Sequence, residues 1–199
     1  MWGQTVVQVK EITNWPVADG FSLPGGAGTR PADPRASQPD GGAGIIAGIV
    51  ELLITAAAGF LIAVLWFDLM FDVQVLRHRA DPLVPEAVLE SIAAYYRRVT
   101  TTASPMGRLV AVAMAALFVG LSVQAVRGDA AWWVSAVSFP AALLAVGLAM
   151  GRVFGRAVRL GTRADPADVQ SDLARSICRD HLICLASMSL VLAVQLAGG

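Results

Sequence analysis

Charge is scarce in this chain. Asp, Glu, Lys and Arg make up 15% of its 199 residues, against roughly 25% in a soluble globular domain. Lysine is all but missing, with Lys10 alone beside fourteen arginines, a bias that suggests a GC-rich bacterial source. Formal net charge is zero, so no nucleic-acid partner held by bulk charge is expected. The two cysteines, Cys178 and Cys184, are too few for a disulfide framework. There is no Walker loop, no dinucleotide fingerprint, no HExxH and no nucleophile elbow, so no motif announces an enzyme class. Met1 to Gln8 carries no basic region and no long apolar run precedes Ala43, so no secretory leader is expected.

What the chain does have is apolar length. Hydrophobic residues make up 56% and mean hydropathy is +0.62, values of the polytopic membrane class. Four apolar runs, about 45–67, 109–126, 130–150 and 182–197, approach the roughly 20 residues that a membrane crossing needs. The expected fold is all-α: four transmembrane helices in an antiparallel bundle, spanning 44–199. Residues 1–43 form a Pro/Gly-rich extracytoplasmic tail, largely irregular because it buries too little to offset its ordering entropy. The tail opens with Trp2, Val6, Val7, Val9, Ile12 and Trp15, an apolar segment able to dock on a partner.

The connections set the orientation. Arg127-Gly128-Asp129 is short and forces a helical hairpin. The other two loops hold eleven arginines, against four cations in the tail, the short turn and the C-terminus. The positive-inside rule then places both long loops in the cytoplasm and both termini outside, in a bacterial plasma membrane. Within the first loop, Asp81-Pro82 with Glu86 marks a helix start. Leu89, Ile92, Tyr96 and Val99 follow at helical spacing, as in an amphipathic helix lying against the membrane face. Ser104-Pro105 introduces the second crossing, and Pro140 should kink the third. Asp165-Pro166 should start a fourth helix that projects well beyond the bilayer.

Polar residues collect at one depth. Asp68 and Asp72 lie one turn apart on the first helix. Arg108, Arg152, Arg179, Asp180 and His181 fall at the same boundary. The fourth apolar run is only about 24 Å long, shorter than the roughly 30 Å hydrocarbon core, so Arg179, Asp180 and His181 are pulled toward lipid, where charges need partners. One reading is an ion-pair belt, with Asp68 and Asp72 neutralising Arg108, Arg152 or Arg179. The other is a proton-handling or ligand site with His181 as the titrating group. A bis-histidine haem site on His78 and His181, or a soft-metal site on Cys178, His181 and Cys184 near Asp180, has weaker support, and no cofactor and no metal is expected. Glu51, Gln124 and Gln195 lie near the opposite boundary. Gly147, Gly151 and Gly155 repeat at the small-xxx-small spacing that lets helices approach closely.

In its layout — outward N-terminus, first helix with an acidic and aromatic end, basic loop with an amphipathic helix, hairpin, final helix — the chain resembles small four-helix bacterial membrane proteins grouped with anthrone-oxygenase-like families. The resemblance spans about 45–197, centres on Ala93 to Pro105, and carries no catalytic residue. The expected function is a non-catalytic accessory or assembly subunit, in contact with the lipid bilayer and with a larger membrane complex or its own copies. The alternative is a membrane enzyme or carrier for a small hydrophobic molecule, using the polar cluster.

Overall fold

The computed structural model describes residues 41–102 and 104–198. The expectations for the N-terminal tail up to residue 40 lie outside them. Helix α1 (Gly41–Asp72) has 32 residues and runs into a short 3-10 turn, Val73–His78. Helix α2 (Glu86–Arg97) is followed by a π turn, Arg98–Thr102. Helix α3 (Ser104–Arg127) is the second crossing. Helix α4 (Trp132–Leu148) continues through a π turn, Ala149–Val153, into α5 (Phe154–Thr162). Helix α6 (Ala167–Gly198) closes the fold. Among the described residues four helices are long and apolar enough to cross a membrane, and the protein is an all-α, multi-pass membrane bundle.

Helix α6 packs on both α1 and α4, while α3 packs on α1 and less closely on α4. The ring order is therefore α1, α3, α4, α6. The turn between α3 and α4 uses Gly128 at φ 69°, a left-handed backbone that favours glycine. The Gly128 N–H closes α3 by donating to the Gln124 carbonyl at 3.1 Å. At this end Gln124 and Gln195 exchange amide bonds at 3.0 and 3.1 Å, and Gln195 donates to Ser138 Oγ at 3.2 Å. These three buried groups join α3, α4 and α6 where lipid offers no alternative partner. Glu51 is half-buried and stands apart from that network.

Three helices exceed the bilayer. At 1.5 Å per residue α6 is about 48 Å long, and α4 with α5 about 46 Å, against a core of roughly 30 Å. The surplus builds a second core. One core, in the membrane-spanning half, holds Ile54, Ala58, Leu61, Leu117, Leu121, Ala142, Met188 and Val191. The other holds Val75, Val84, Leu89, Ile92, Tyr96, Leu160, Leu173 and Ile177. It forms a helical cap of α2, α5 and the first half of α6.

The cap corrects the reading of α2. Its apolar stripe does not lie on lipid: Leu89 and Ile92 are fully buried against the overhanging helices. A stripe can face lipid or protein with the same spacing, and the length of α5 and α6 decides which. The start is also later than Asp81-Pro82. Pro85 disfavours helical backbone at Val84, so the helix opens at Glu86. Val84 instead buries its side chain and donates its N–H to Ser171 Oγ at 3.0 Å. The helix of the first crossing runs from Gly41, four residues before the expected start at Ile45, and Pro140 sits within continuous helix. An irregularity of the third crossing that the sequence did not announce is the π turn Ala149–Val153.

The glycines also divide differently. A Cβ on Gly147, Gly151 or Gly155 would meet nothing within 4 Å, so the close approach expected there is not made among the described residues. The tight glycines are others. A Cβ on Gly161 would stand 3.1 Å from the Arg97 backbone nitrogen, and one on Gly120 would run into Ile54 at 2.6 Å.

Candidate functional site

Between the two cores lies a polar layer supplied by three helices. The end of α1 brings Asp68 and Asp72, four residues apart and hence on one face. Helix α2 brings Tyr95 and Tyr96. Helix α6 brings His181. Asp72 is fully buried and His181 is 5% exposed, so each polar atom needs a partner from the protein.

The partners are present. The Tyr96 hydroxyl donates to Asp72, 2.7 Å from Oδ1 and 2.8 Å from Oδ2. His181 Nδ1 lies 2.6 Å from Asp72 Oδ2. The Tyr95 hydroxyl donates to Asp68 Oδ1 at 2.5 Å. His181 Nε2 stands 3.8 Å from Asp68 Oδ2, beyond hydrogen-bond reach. Phe71 stacks on the Tyr95 ring, centroids 4.2 Å apart and planes at 10°, which fixes the phenol. Burial first, and then the neighbouring carboxylates, push both phenols well above the ordinary tyrosine range. They are hydrogen-bond donors at any physiological pH.

On the membrane side this layer floors a pocket. Leu61, Val64, Leu65, Val110, Met114, Ala145, Val146, Ala149, Cys184 and Met188 wall it, and Asp68 and His181 face into it. Its volume is about 90 Å³, and all four crossing helices contribute. Val64, Leu65, Val110, Val146 and Ala149 are half-exposed, so the rim reaches the outer surface of the bundle. Ala149 opens the π turn of the third crossing, and such insertions are frequent at functional sites. The other π turn follows Tyr95 and Tyr96. There Thr100, Thr101 and Thr102 each bond the carbonyl four residues back, which diverts the local helix geometry.

The expected ion-pair belt is wired otherwise. Asp68 and Asp72 are held by phenols and imidazole, and among the described residues no arginine bonds to either. The arginines go to Asp180. Arg156 Nη1 lies 3.0 Å, and Arg152 Nε 3.3 Å, from its Oδ2, and Arg179 Nε lies 3.6 Å from its Oδ1. Asp180 is fully buried and Oδ1 has no hydrogen-bond partner among the described residues. Neighbouring residues on a helix point about 100° apart. His181 therefore faces α1 and α2, while Asp180 faces the junction of α4 and α5. Arg108 is exposed at the start of α3 and forms no ion pair among the described residues.

His78 lies apart from His181. Its Nδ1 is 2.8 Å from Asp81 Oδ2 in the loop, and it does not line the pocket that His181 faces. Cys178 is buried in the cap core, and the Cys184 thiol donates to the Ala145 carbonyl at 3.4 Å. Among the described residues no group of three or more His, Cys, Asp or Glu is arranged to hold a metal ion.

Two members of the site were not identified as such from sequence. Tyr96 was visible only as a member of the apolar stripe, and Tyr95 not at all. The signal was a phenol on the buried face of a helix, since a buried tyrosine hydroxyl must find an acceptor. Arg156 was likewise seen only as a loop cation. Comparison of the chain with family models, with curated proteins and with solved structures finds no match.

Proposed function

We propose that the protein binds a small, largely apolar molecule from the bilayer and engages its polar end at Asp68 and His181, as a carrier or as a membrane enzyme. The observation that carries this reading is the pocket. It is apolar on its walls, polar on its floor, and shaped by all four crossing helices. Ligand sites have this composition, with a few convergent polar groups in an apolar enclosure. An ionisable group inside a membrane bundle is a functional candidate on energetic grounds alone, because its presence there is costly. The Tyr95–Asp68 and Tyr96–Asp72–His181 bonds would hold the floor rigid while the ligand exchanges.

The test is purification in mild detergent followed by native mass spectrometry. Wild-type protein should carry a small bound molecule, and Met114→Trp, which fills the pocket, should lose it. Folded wild-type protein that carries none, and takes up none from added lipid extract, would sink the reading.

A second reading is favoured by the glycine stripe. Gly147, Gly151 and Gly155 present bare backbone on the outer surface, the kind of face on which another helix packs. On this reading the chain is an accessory subunit of a larger membrane complex, or assembles with its own copies. A stoichiometric partner that is lost from Gly151→Val would support it. We further propose a bacterial plasma-membrane location with the cap in the cytoplasm, supported by the arginine asymmetry of the loops. Membership of the anthrone-oxygenase-like group rests on layout and is a proposal of the same kind.

A further inference from the structure

We infer that the molecule taken into the pocket carries a protonated amine at its head, and that Asp68 is its counter-charge; the inference rests on the pocket reading above. The charge count of the floor points this way. It holds two carboxylates, Asp68 and Asp72, against one imidazole, His181. With all three ionised the floor is one positive charge short of neutral, a count that a proton on Asp68 or a cation from outside would close.

Among the described residues no arginine pairs with either carboxylate. Arg152, Arg156 and Arg179 converge on Asp180, and Arg108, exposed at the start of α3, pairs with neither Asp68 nor Asp72. Nor is the deficit met by hydrogen bonding alone. Tyr96 and His181 occupy both oxygens of Asp72. Tyr95 occupies only Oδ1 of Asp68. Asp68 Oδ2 has His181 Nε2 at 3.8 Å and no donor within hydrogen-bond distance among the described residues. Asp68 is also the carboxylate that lines the pocket. The unfilled acceptor therefore belongs to the one carboxylate that lines the pocket.

The dimensions define the rest of the ligand. A pocket of about 90 Å³ is smaller than the roughly 150 Å³ cavity that takes up benzene. It admits an ammonium head and its first few carbons. The half-exposed rim residues on α1, α3 and α4 leave a lateral way out for an alkyl tail into lipid. A lipophilic amine of the bilayer fits both requirements. A fatty acid would bring a second negative charge to a floor already in excess, and a fatty alcohol would leave the charge unmatched.

The experiment uses the full chain in nanodiscs with three photo-crosslinking probes of one alkyl length, carrying a primary amine, an alcohol or a carboxylate. Crosslinks are mapped to peptides containing Val110, Met114 and Val146. The amine should label these peptides about tenfold more than the alcohol, because both donate to the carboxylate but only the ammonium brings the opposite charge. Asp68→Asn should reduce amine labelling to the alcohol's level, and Asp68→Glu should keep the preference. The Glu variant keeps the test open if the Asn variant fails to fold. Equal labelling by amine and alcohol would overturn the charge inference and leave the pocket reading standing. Preferential labelling by the carboxylate would overturn it in favour of His181 as the partner. Absence of labelling by all three, in protein that still melts cooperatively, would overturn both.

Discussion

Tyr96→Phe removes one oxygen and leaves the ring, so the cap core that includes Leu89, Ile92 and Tyr96 keeps its volume. What is lost is the donor to a carboxyl group that is fully buried. Asp72 Oδ2 keeps His181 at 2.6 Å, but Oδ1 loses its only donor among the described residues, 2.7 Å away. No water replaces it without opening the junction of α1, α2 and α6. A hydrogen bond to a charged group is worth about 1.5–3 kcal/mol, so stability should fall by about 2 kcal/mol. The matched control is Tyr95→Phe. Its acceptor Asp68 has a side chain 15% exposed, which can be rehydrated from the pocket, so the loss there should be about 1 kcal/mol or less. The assay is reversible unfolding in mixed micelles, followed by tryptophan fluorescence. A double-mutant cycle with Asp72→Asn should show non-additivity of about 1 kcal/mol or more, as residues sharing one network do. The reasoning is refuted if Tyr96→Phe lies within about 0.5 kcal/mol of wild type, or if Tyr95→Phe is the more damaging of the two.

Other perturbations separate the remaining claims. Gly161→Val should destabilise the cap by about 1–3 kcal/mol, because its Cβ meets the Arg97 backbone at 3.1 Å, whereas Gly151→Val should leave the melting temperature of the isolated chain unchanged; thermal melts in detergent check both. Gln195→Leu should cost about 1 kcal/mol by leaving Gln124 without its amide partner, and Gln124→Leu together with Gln195→Leu should recover part of that loss. Single cysteines placed at Asp129 and Thr162 should react with an impermeant reagent from outside and from inside respectively; the reverse pattern would invert the proposed orientation.

Much of the architecture was legible because it follows from local rules. Apolar length set the four crossings, and the Arg127 to Asp129 turn set a hairpin. Asp165 and Pro166 set the start of α6 at Ala167, fifteen residues before its apolar run. The depth of Asp68, Asp72, Asp180 and His181 also followed from helical rise alone. Rise gives depth, but rotation about each helix axis decides who meets whom, and rotation is fixed by packing between helices far apart in sequence. Only the folded bundle therefore turned His181 toward Asp72 and Asp180 toward Arg152 and Arg156. Only the overhang of α5 and α6 could tell that α2 covers protein rather than lipid, which is what carries Tyr95 and Tyr96 to the carboxylates. The open face at Gly151 and the closed one at Gly161 show the same division. Glycine spacing is written in the chain, but whether another backbone lies against it is a property of the tertiary structure.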